Sequence, residues 1–98
     1  MSRLDFDKIN AAALAVLPAL VTRLLPDGYR EGDEWYALNP HRPDRHEGSF
    51  KINLRTGHWA DFALPNVRGR DVIGFVAYVT AKTRVEAARA LAHMLGLS

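Results

Sequence analysis

The sequence predicts an α+β fold, in which a small three-stranded antiparallel sheet packs with an N-terminal helix and two C-terminal helices. Three observations lead to this prediction. Apolar residues recur at helical spacing over 5–25 and again over 71–95, and the segments between them alternate between apolar and polar residues as short strands do. A chain of 98 residues predicts a single domain over 1–98, with an N-terminal helical segment at 5–25 and a second module at 34–95.

The first predicted helix runs from Asp5 to Leu25, and either Asp5 or Asp7 could cap its start. Pro18 lacks a backbone donor and clashes with the preceding turn, so it predicts a kink or a division into two shorter helices. The segment is apolar on more than one face, which indicates either burial on both sides or a surface for a partner.

Three strands are predicted from the middle of the chain. The aromatic segment Glu34–Leu38 forms the first, and an exposed loop over 39–48 follows it. A hairpin over 49–62, turning at Thr56-Gly57, supplies the other two. Because side chains alternate along a strand, this hairpin has one apolar face and one polar face. On its first strand Phe50, Ile52 and Leu54 oppose Lys51, Asn53 and Arg55; on its second, Trp59 and Asp61 oppose His58, Ala60 and Phe62.

The last part of the sequence predicts a loop over 64–69 and then two helices. Asp71 is suited to cap a helix that ends near Thr80. Thr83 and Glu86 fit a capping box for the final helix, which ends near Leu95.

Composition favours a soluble cytoplasmic protein with no membrane association. The formal net charge is +2 and the isoelectric point is about 9.3, which permits binding to phosphates without requiring it. The chain has no cysteine, so disulfides and cysteine-based zinc sites are excluded. The N-terminus lacks the order of a signal peptide, and the longest apolar run is too short to span a bilayer.

Catalysis is not expected from the residue pattern. A nucleophile relay would have to use Ser49, His58 and Asp61, but His58 and Asp61 are three residues apart in a strand and therefore project to opposite faces. The sequence contains neither a phosphate-binding Walker loop nor a His-Glu-x-x-His pair.

Binding of nucleic acid or of a protein partner is the alternative to catalysis. Cationic side chains neutralise phosphates and aromatic rings stack on unpaired bases, although acidic residues are interleaved with the cations here. The candidate contact residues are Arg42, Arg45, Lys51, Asn53, Arg55, Arg68 and Arg70, with Trp35, Tyr36 and Trp59 as possible stacking groups.

Several motifs in order resemble the zinc-binding domain of bacterial, phage and plasmid DNA primases and primase-helicases, and the resemblance covers roughly 34–95. The motifs are Leu38-Asn39-Pro40, Gly48-Ser49-Phe50-Lys51-Ile52, Gly57-His58-Trp59-Ala60-Asp61-Phe62, Gly69-Arg70-Asp71-Val72-Ile73-Gly74-Phe75-Val76 and Glu86-Ala87-Ala88-Arg89. The resemblance implies a zinc-ribbon-like core.

In that family three cysteines and one histidine hold zinc, and the resemblance places the two ligand pairs near residues 39–43 and 61–63. This chain has no cysteine at either place, so the form is degenerate and we expect no bound metal or other cofactor. A site formed by His41, His46, His58 and Asp61 is conceivable, but exposed histidines are the simpler interpretation. We expect the aromatic residues Phe50, Trp59 and Phe62 to hold the hairpin in place of the metal.

The resemblance implies a non-catalytic, nucleic-acid-binding accessory module in the DNA replication of a phage or plasmid. Its expected ligand is single-stranded or template DNA, bound weakly, and a helicase or primase is a possible protein partner. The alternative is a small mobile-element protein that binds and inhibits a host protein complex, such as a defence nuclease.

Overall fold

Four helices and a five-stranded antiparallel sheet make up the computed structural model, which describes residues 4–41 and 49–97. Each strand pairs with the next one along the chain, in the order β1-β2-β3-β4-β5, so the sheet is a simple meander. The helices are α1 (Phe6–Ala15), α2 (Leu17–Leu24), α3 (Val72–Thr80) and α4 (Arg84–Met94). The strands are β1 (Tyr29–Glu31), β2 (Glu34–Ala37), β3 (Phe50–Asn53), β4 (Trp59–Asp61) and β5 (Arg68–Gly69).

The predicted sheet of three strands with three helices is therefore wrong: the fold is α+β, but residues 4–41 and 49–97 form five strands and four helices. Strand β1 escaped prediction because all three of its residues are exposed and it lies between two turn signals, so it carries no apolar alternation. Strand β5 has only two residues and lies in a loop rich in proline and glycine. Both missed strands are the outer strands of the sheet.

The N-terminal helical segment is divided as Pro18 predicted. Helix α1 ends at a non-helical Val16, and Pro18 lies in the first turn of α2, where its missing N–H would have no partner within the helix. Asp5 caps α1 by accepting a hydrogen bond from the backbone N–H of Lys8 at 3.1 Å. Among the helices of the described ranges, none combines the length and the apolar character needed to cross a membrane.

Four aromatic rings join the sheet to α3. Phe50 and Phe75 stack with ring centres 6.0 Å apart, and Trp59 meets Phe75 edge-on at 6.1 Å. Tyr78 lies 5.7 Å from Phe50 and 5.4 Å from Trp59. Phe50, Trp59 and Phe75 are buried, so this cluster forms the centre of the core between the sheet and the helices.

Asp71 joins three helices at one carboxylate. It caps α3 by accepting a hydrogen bond from the Gly74 N–H at 2.8 Å, as the sequence predicted. The guanidinium of Arg84 in α4 donates to both of its oxygens, at 3.0 and 2.8 Å, and Asn10 in α1 donates at 3.2 Å. The hydrogen bonds from Arg84, followed by those from Gly74 and Asn10, hold the pKa of Asp71 below its usual value despite partial burial.

The contacts of Asp71 predict that Asp71→Asn lowers the free energy of unfolding by an amount that depends on pH. Asparagine keeps the cap but loses the charge, so the free energy of unfolding should fall by about 1 kcal/mol at about pH 7. Because the folded pKa of Asp71 is depressed, its contribution is present above the unfolded pKa and is lost as the pH falls through the folded value. The difference between wild type and variant should therefore disappear in acid. Urea unfolding followed by circular dichroism measures both quantities.

The matched control is Asp27→Asn. Asp27 is exposed in the turn after α2, so this substitution should leave the free energy of unfolding unchanged. Equal stability of Asp71→Asn and wild type near neutral pH would contradict the role assigned to this carboxylate.

Candidate nucleic-acid interface

The two faces of the sheet differ in burial. Residues of one face, including Ala37, Phe50, Ile52 and Trp59, are buried beneath the helices. On the opposite face no side chain in the described ranges is buried; all are half-buried or exposed. We call this second surface the open face. Its members are Tyr29, Glu31, Glu34, Tyr36, Lys51, Asn53, His58, Ala60, Phe62 and Arg68.

One row of the open face crosses all five strands in register. Tyr29 of β1 lies opposite Tyr36 of β2, and Tyr36 lies opposite Lys51 of β3. Lys51 in turn faces Ala60 of β4, which faces Arg68 of β5. We call these five residues the crossing row. It places two aromatic rings, a cation, a small residue and a second cation side by side.

The aromatic half of the crossing row is ordered by stacking. The rings of Tyr29 and Tyr36 are nearly parallel, at 18°, with centres 5.4 Å apart. Lys51 Nζ lies 5.6 Å from the centre of the Tyr36 ring and 5.0 Å from that of Phe62. The ammonium group therefore lies between two aromatic rings, an arrangement favoured by cation–π attraction.

Phe62 belongs to this surface and not to the core. Its N–H donates to the Ser49 carbonyl at 2.8 Å, which continues the β3–β4 ladder by one residue. Phe62 is 69% exposed, the largest value among the large apolar residues that the structure describes. The expectation that Phe62 holds the hairpin in place of a metal is therefore wrong, whereas Phe50 and Trp59 do occupy the core.

A second row of the open face is acidic. Glu31 lies opposite Glu34, Glu34 lies opposite Asn53, and the Asn53 N–H donates to the carbonyl of His58 at 2.8 Å. Only Glu34 has a close cationic neighbour, Lys51 Nζ at 3.4 Å, within the part of the chain described. The open face is thus divided into a basic, aromatic row and an acidic row, and a shallow depression of about 410 Å³ lies between Lys51, Asn53 and Phe62.

Asn53 and Arg55, both predicted contact residues, are engaged elsewhere. Asn53 Oδ1 accepts hydrogen bonds from the N–H groups of Arg55 and Thr56, each at 2.9 Å, and so closes the turn after β3. Arg55 lies in that turn and pairs with Asp33 at 3.4 Å. These two residues define one end of the sheet and lie outside the crossing row.

The other predicted residues separate into three groups. Arg42 and Arg45 lie outside the described residues. Arg68 is exposed in the crossing row, and Arg70 is exposed in the connection between β5 and α3. Of the proposed stacking groups, Trp59 is buried and Trp35 is half-buried on the helix-covered face, so only Tyr36 belongs to the open face.

Tyr29 and Phe62 are the aromatic members of the open face that the sequence did not identify as contacts. Tyr29 lies in strand β1, which the sequence does not predict, and Phe62 is expected from the sequence to lie with the core aromatic residues. The alternation of side chains could have identified Phe62 as a surface residue, because Phe62 shares the strand face of His58 and Ala60, opposite to that of Trp59.

Near the positions where the primase resemblance would place metal ligands, the structure has a network of hydrogen bonds. Asn39 Nδ2 donates to Asp61 Oδ2 at 2.9 Å and lies 2.7 Å from the Tyr78 hydroxyl. Asp61 is 2% exposed, and its other oxygen accepts from the Ala63 N–H at 2.9 Å. His41 contacts the carbonyl of Tyr78 at 2.5 Å. This network joins the end of β2 to the end of β4 and to α3.

Within residues 4–41 and 49–97, no three histidine, cysteine, aspartate or glutamate side chains are grouped closely enough to hold a metal ion. His41, His58 and Asp61 therefore do not form the conceivable site, and His46 lies outside the described residues. His58 is exposed on the open face, while Asp61 is buried on the other.

Comparison of the chain with protein-family models, with curated proteins and with solved structures finds no significant match.

The geometry of the β3–β4 turn predicts a structural role for Asn53. Asn53→Ala leaves two backbone N–H groups without their acceptor, so the free energy of unfolding should fall by about 1 kcal/mol. Asn53→Ser keeps a weaker acceptor and should recover part of the loss. Urea unfolding measures both variants. If Asn53→Ala were as stable as wild type, Asn53 would not be what closes the turn.

Proposed function

We propose that this protein is a non-catalytic nucleic-acid-binding accessory module, that single-stranded or template DNA is its ligand, and that the open face is its contact surface. The observation that carries the proposal is the crossing row, which aligns Tyr29, Tyr36, Lys51 and Arg68 across the sheet. Rings of this kind stack on unpaired bases, and the cations neutralise phosphates.

The charge balance of the surface predicts weak binding. Lys51 is already paired with Glu34, and Glu31 adds a second negative charge to the open face. Few phosphates can then be neutralised, so the dissociation constant should lie in the range of non-specific complexes, about 10⁻⁴ to 10⁻⁶ M at physiological salt.

A place in phage or plasmid DNA replication is the further part of the proposal, and it depends on the primase resemblance. One observation supports this role. The two chain segments at which the resemblance places the metal ligands lie together, because Asn39 and Asp61 are joined by a hydrogen bond of 2.9 Å. We interpret this network as the link that a metal provides in the zinc-binding relatives. The non-catalytic part is supported by the placement of His58 and Asp61 on opposite faces of the sheet, which prevents a relay between them.

The proposal predicts that Lys51→Gln combined with Arg68→Gln weakens binding of single-stranded DNA. Each lost phosphate contact should also reduce the slope of log affinity against log salt by about 0.7. Fluorescence anisotropy with a labelled single strand of about 12 nucleotides, at low and at moderate salt, measures both effects.

Lys8→Gln combined with Arg89→Gln is the control for that experiment, because it removes the same charge from exposed positions on α1 and α4. It should bind like wild type. No binding by wild-type protein at low salt, or an equal loss in both double variants, would contradict the proposal.

A protein partner is the second candidate function, and the near balance of charge on the open face favours it. In this alternative the protein binds and inhibits a host complex such as a defence nuclease, with exposed Phe62 as an apolar anchor. Affinity capture from host extract after nuclease treatment separates the two candidates. A stoichiometric protein, captured by wild type and lost with Phe62→Ala, would support the alternative.

A further inference from the structure

The open face has two separate places where a base can stack, and Lys51 lies between them. The first is Tyr36, whose ring has Tyr29 stacked on one side and the flexible Lys51 ammonium 5.6 Å from its centre. The second is Phe62, which is 69% exposed. Lys51 Nζ is within 5.6 Å of both ring centres, so the two rings lie at most about 11 Å apart.

The two side chains leave the sheet well apart from each other. Tyr36 lies on β2 and Phe62 directly follows β4, with β3 between them. Phe62 pairs with Ser49, which is two residues along β3 from Lys51, the partner of Tyr36. With neighbouring strands about 4.8 Å apart, the two side chains start about 12 Å apart. Each ring can therefore take its own base, and a base can stack on a protein ring only where it is unpaired.

The charged side chains of the open face limit the direction in which a nucleic-acid strand can cross the sheet. The acidic row is displaced from the crossing row by two residues along the strands, which is about 7 Å. A chain of phosphates is attracted by Lys51 and Arg68 and repelled by Glu31 and Glu34. The favourable path therefore crosses the strands at the crossing row and on its side away from the acidic row, where Phe62 lies opposite Ser49.

We infer that the ligand site is a two-base step for an unpaired strand, an inference that rests on the proposed function. One base stacks on Tyr36 in place of the Lys51 ammonium, and a second stacks on Phe62. Lys51 Nζ then turns to the phosphate between the two bases. Stacking and phosphate contacts carry no sequence information, so recognition in this site concerns the unpaired state of the strand and not its sequence.

The test measures the affinities of wild type and variants for strands with and without bases, so that the two losses can be compared as in a double-mutant cycle. Phe62→Leu keeps an apolar side chain of similar size but removes the ring, and it should weaken binding of labelled oligothymidylate of about 12 nucleotides by about 5- to 100-fold. Replacing all bases of that strand by abasic residues should weaken binding to wild type at least as much, and the loss caused by Phe62→Leu should then disappear. A duplex of the same length should bind at least about 10-fold more weakly than the single strand.

Met94→Leu is the control, because Met94 is 44% exposed on α4, away from the open face, and its replacement should leave affinity unchanged. A further variant tests the direction of the charge effect: Glu31→Gln should strengthen binding by about twofold at low salt. Circular dichroism confirms that each variant is folded.

The outcomes separate this inference from the proposed function. If wild type binds no oligonucleotide, both fail. Two other outcomes contradict the two-base step but leave the proposed function standing. In the first, single strand, duplex and abasic strand bind with equal affinity. In the second, Phe62→Leu binds like wild type while the Lys51/Arg68 double variant is impaired. Loss of the single-strand preference in Phe62→Leu, with retained affinity of Met94→Leu, supports the inference.

Discussion

The packing of Phe50, Trp59, Phe75 and Tyr78 is the interaction on which the rest of this structure depends. It presses α3 against one face of the sheet, and Asp71 joins α1 and α4 to α3 through Asn10 and Arg84. Because side chains alternate along each strand, every residue that faces away from this cluster belongs to the opposite surface. The aromatic core thus determines which residues form the open face as well as how the helices are arranged.

The same alternation explains why the open face has ordered rows. In a meander of paired strands, residues opposite each other project on the same side, so the pairings from Tyr29 to Arg68 form one line of contacts. Stacking of Tyr29 on Tyr36 and the position of Lys51 between two rings give that line a defined shape before any ligand binds. A preorganised surface loses less entropy when it binds, which matters for a site with so little net charge.

The elements with strong local signals could be predicted from the sequence. The break at Pro18, the cap of α3 by Asp71 and the capping box of Thr83 and Glu86 are confirmed, because each depends on residues close together in the chain. The outer strands β1 and β5 could not be predicted, since an exposed strand has no apolar alternation and owes its existence to pairing with its neighbour. Missing β1 also concealed the stacked pair of tyrosines. Lys51 and Arg68 were identified as candidates, but only the strand register places them in one row.

The contact that we propose between the open face and nucleic acid is tested most directly by amide chemical-shift mapping. ¹H–¹⁵N NMR spectra are recorded during titration with an unlabelled single-stranded oligothymidylate. We expect shifts concentrated at Tyr36, Lys51, Ala60, Phe62 and Arg68, with α4 unaffected. Shifts concentrated on α2 or α4, or no shifts at oligonucleotide concentrations well above those expected for weak binding, would contradict it.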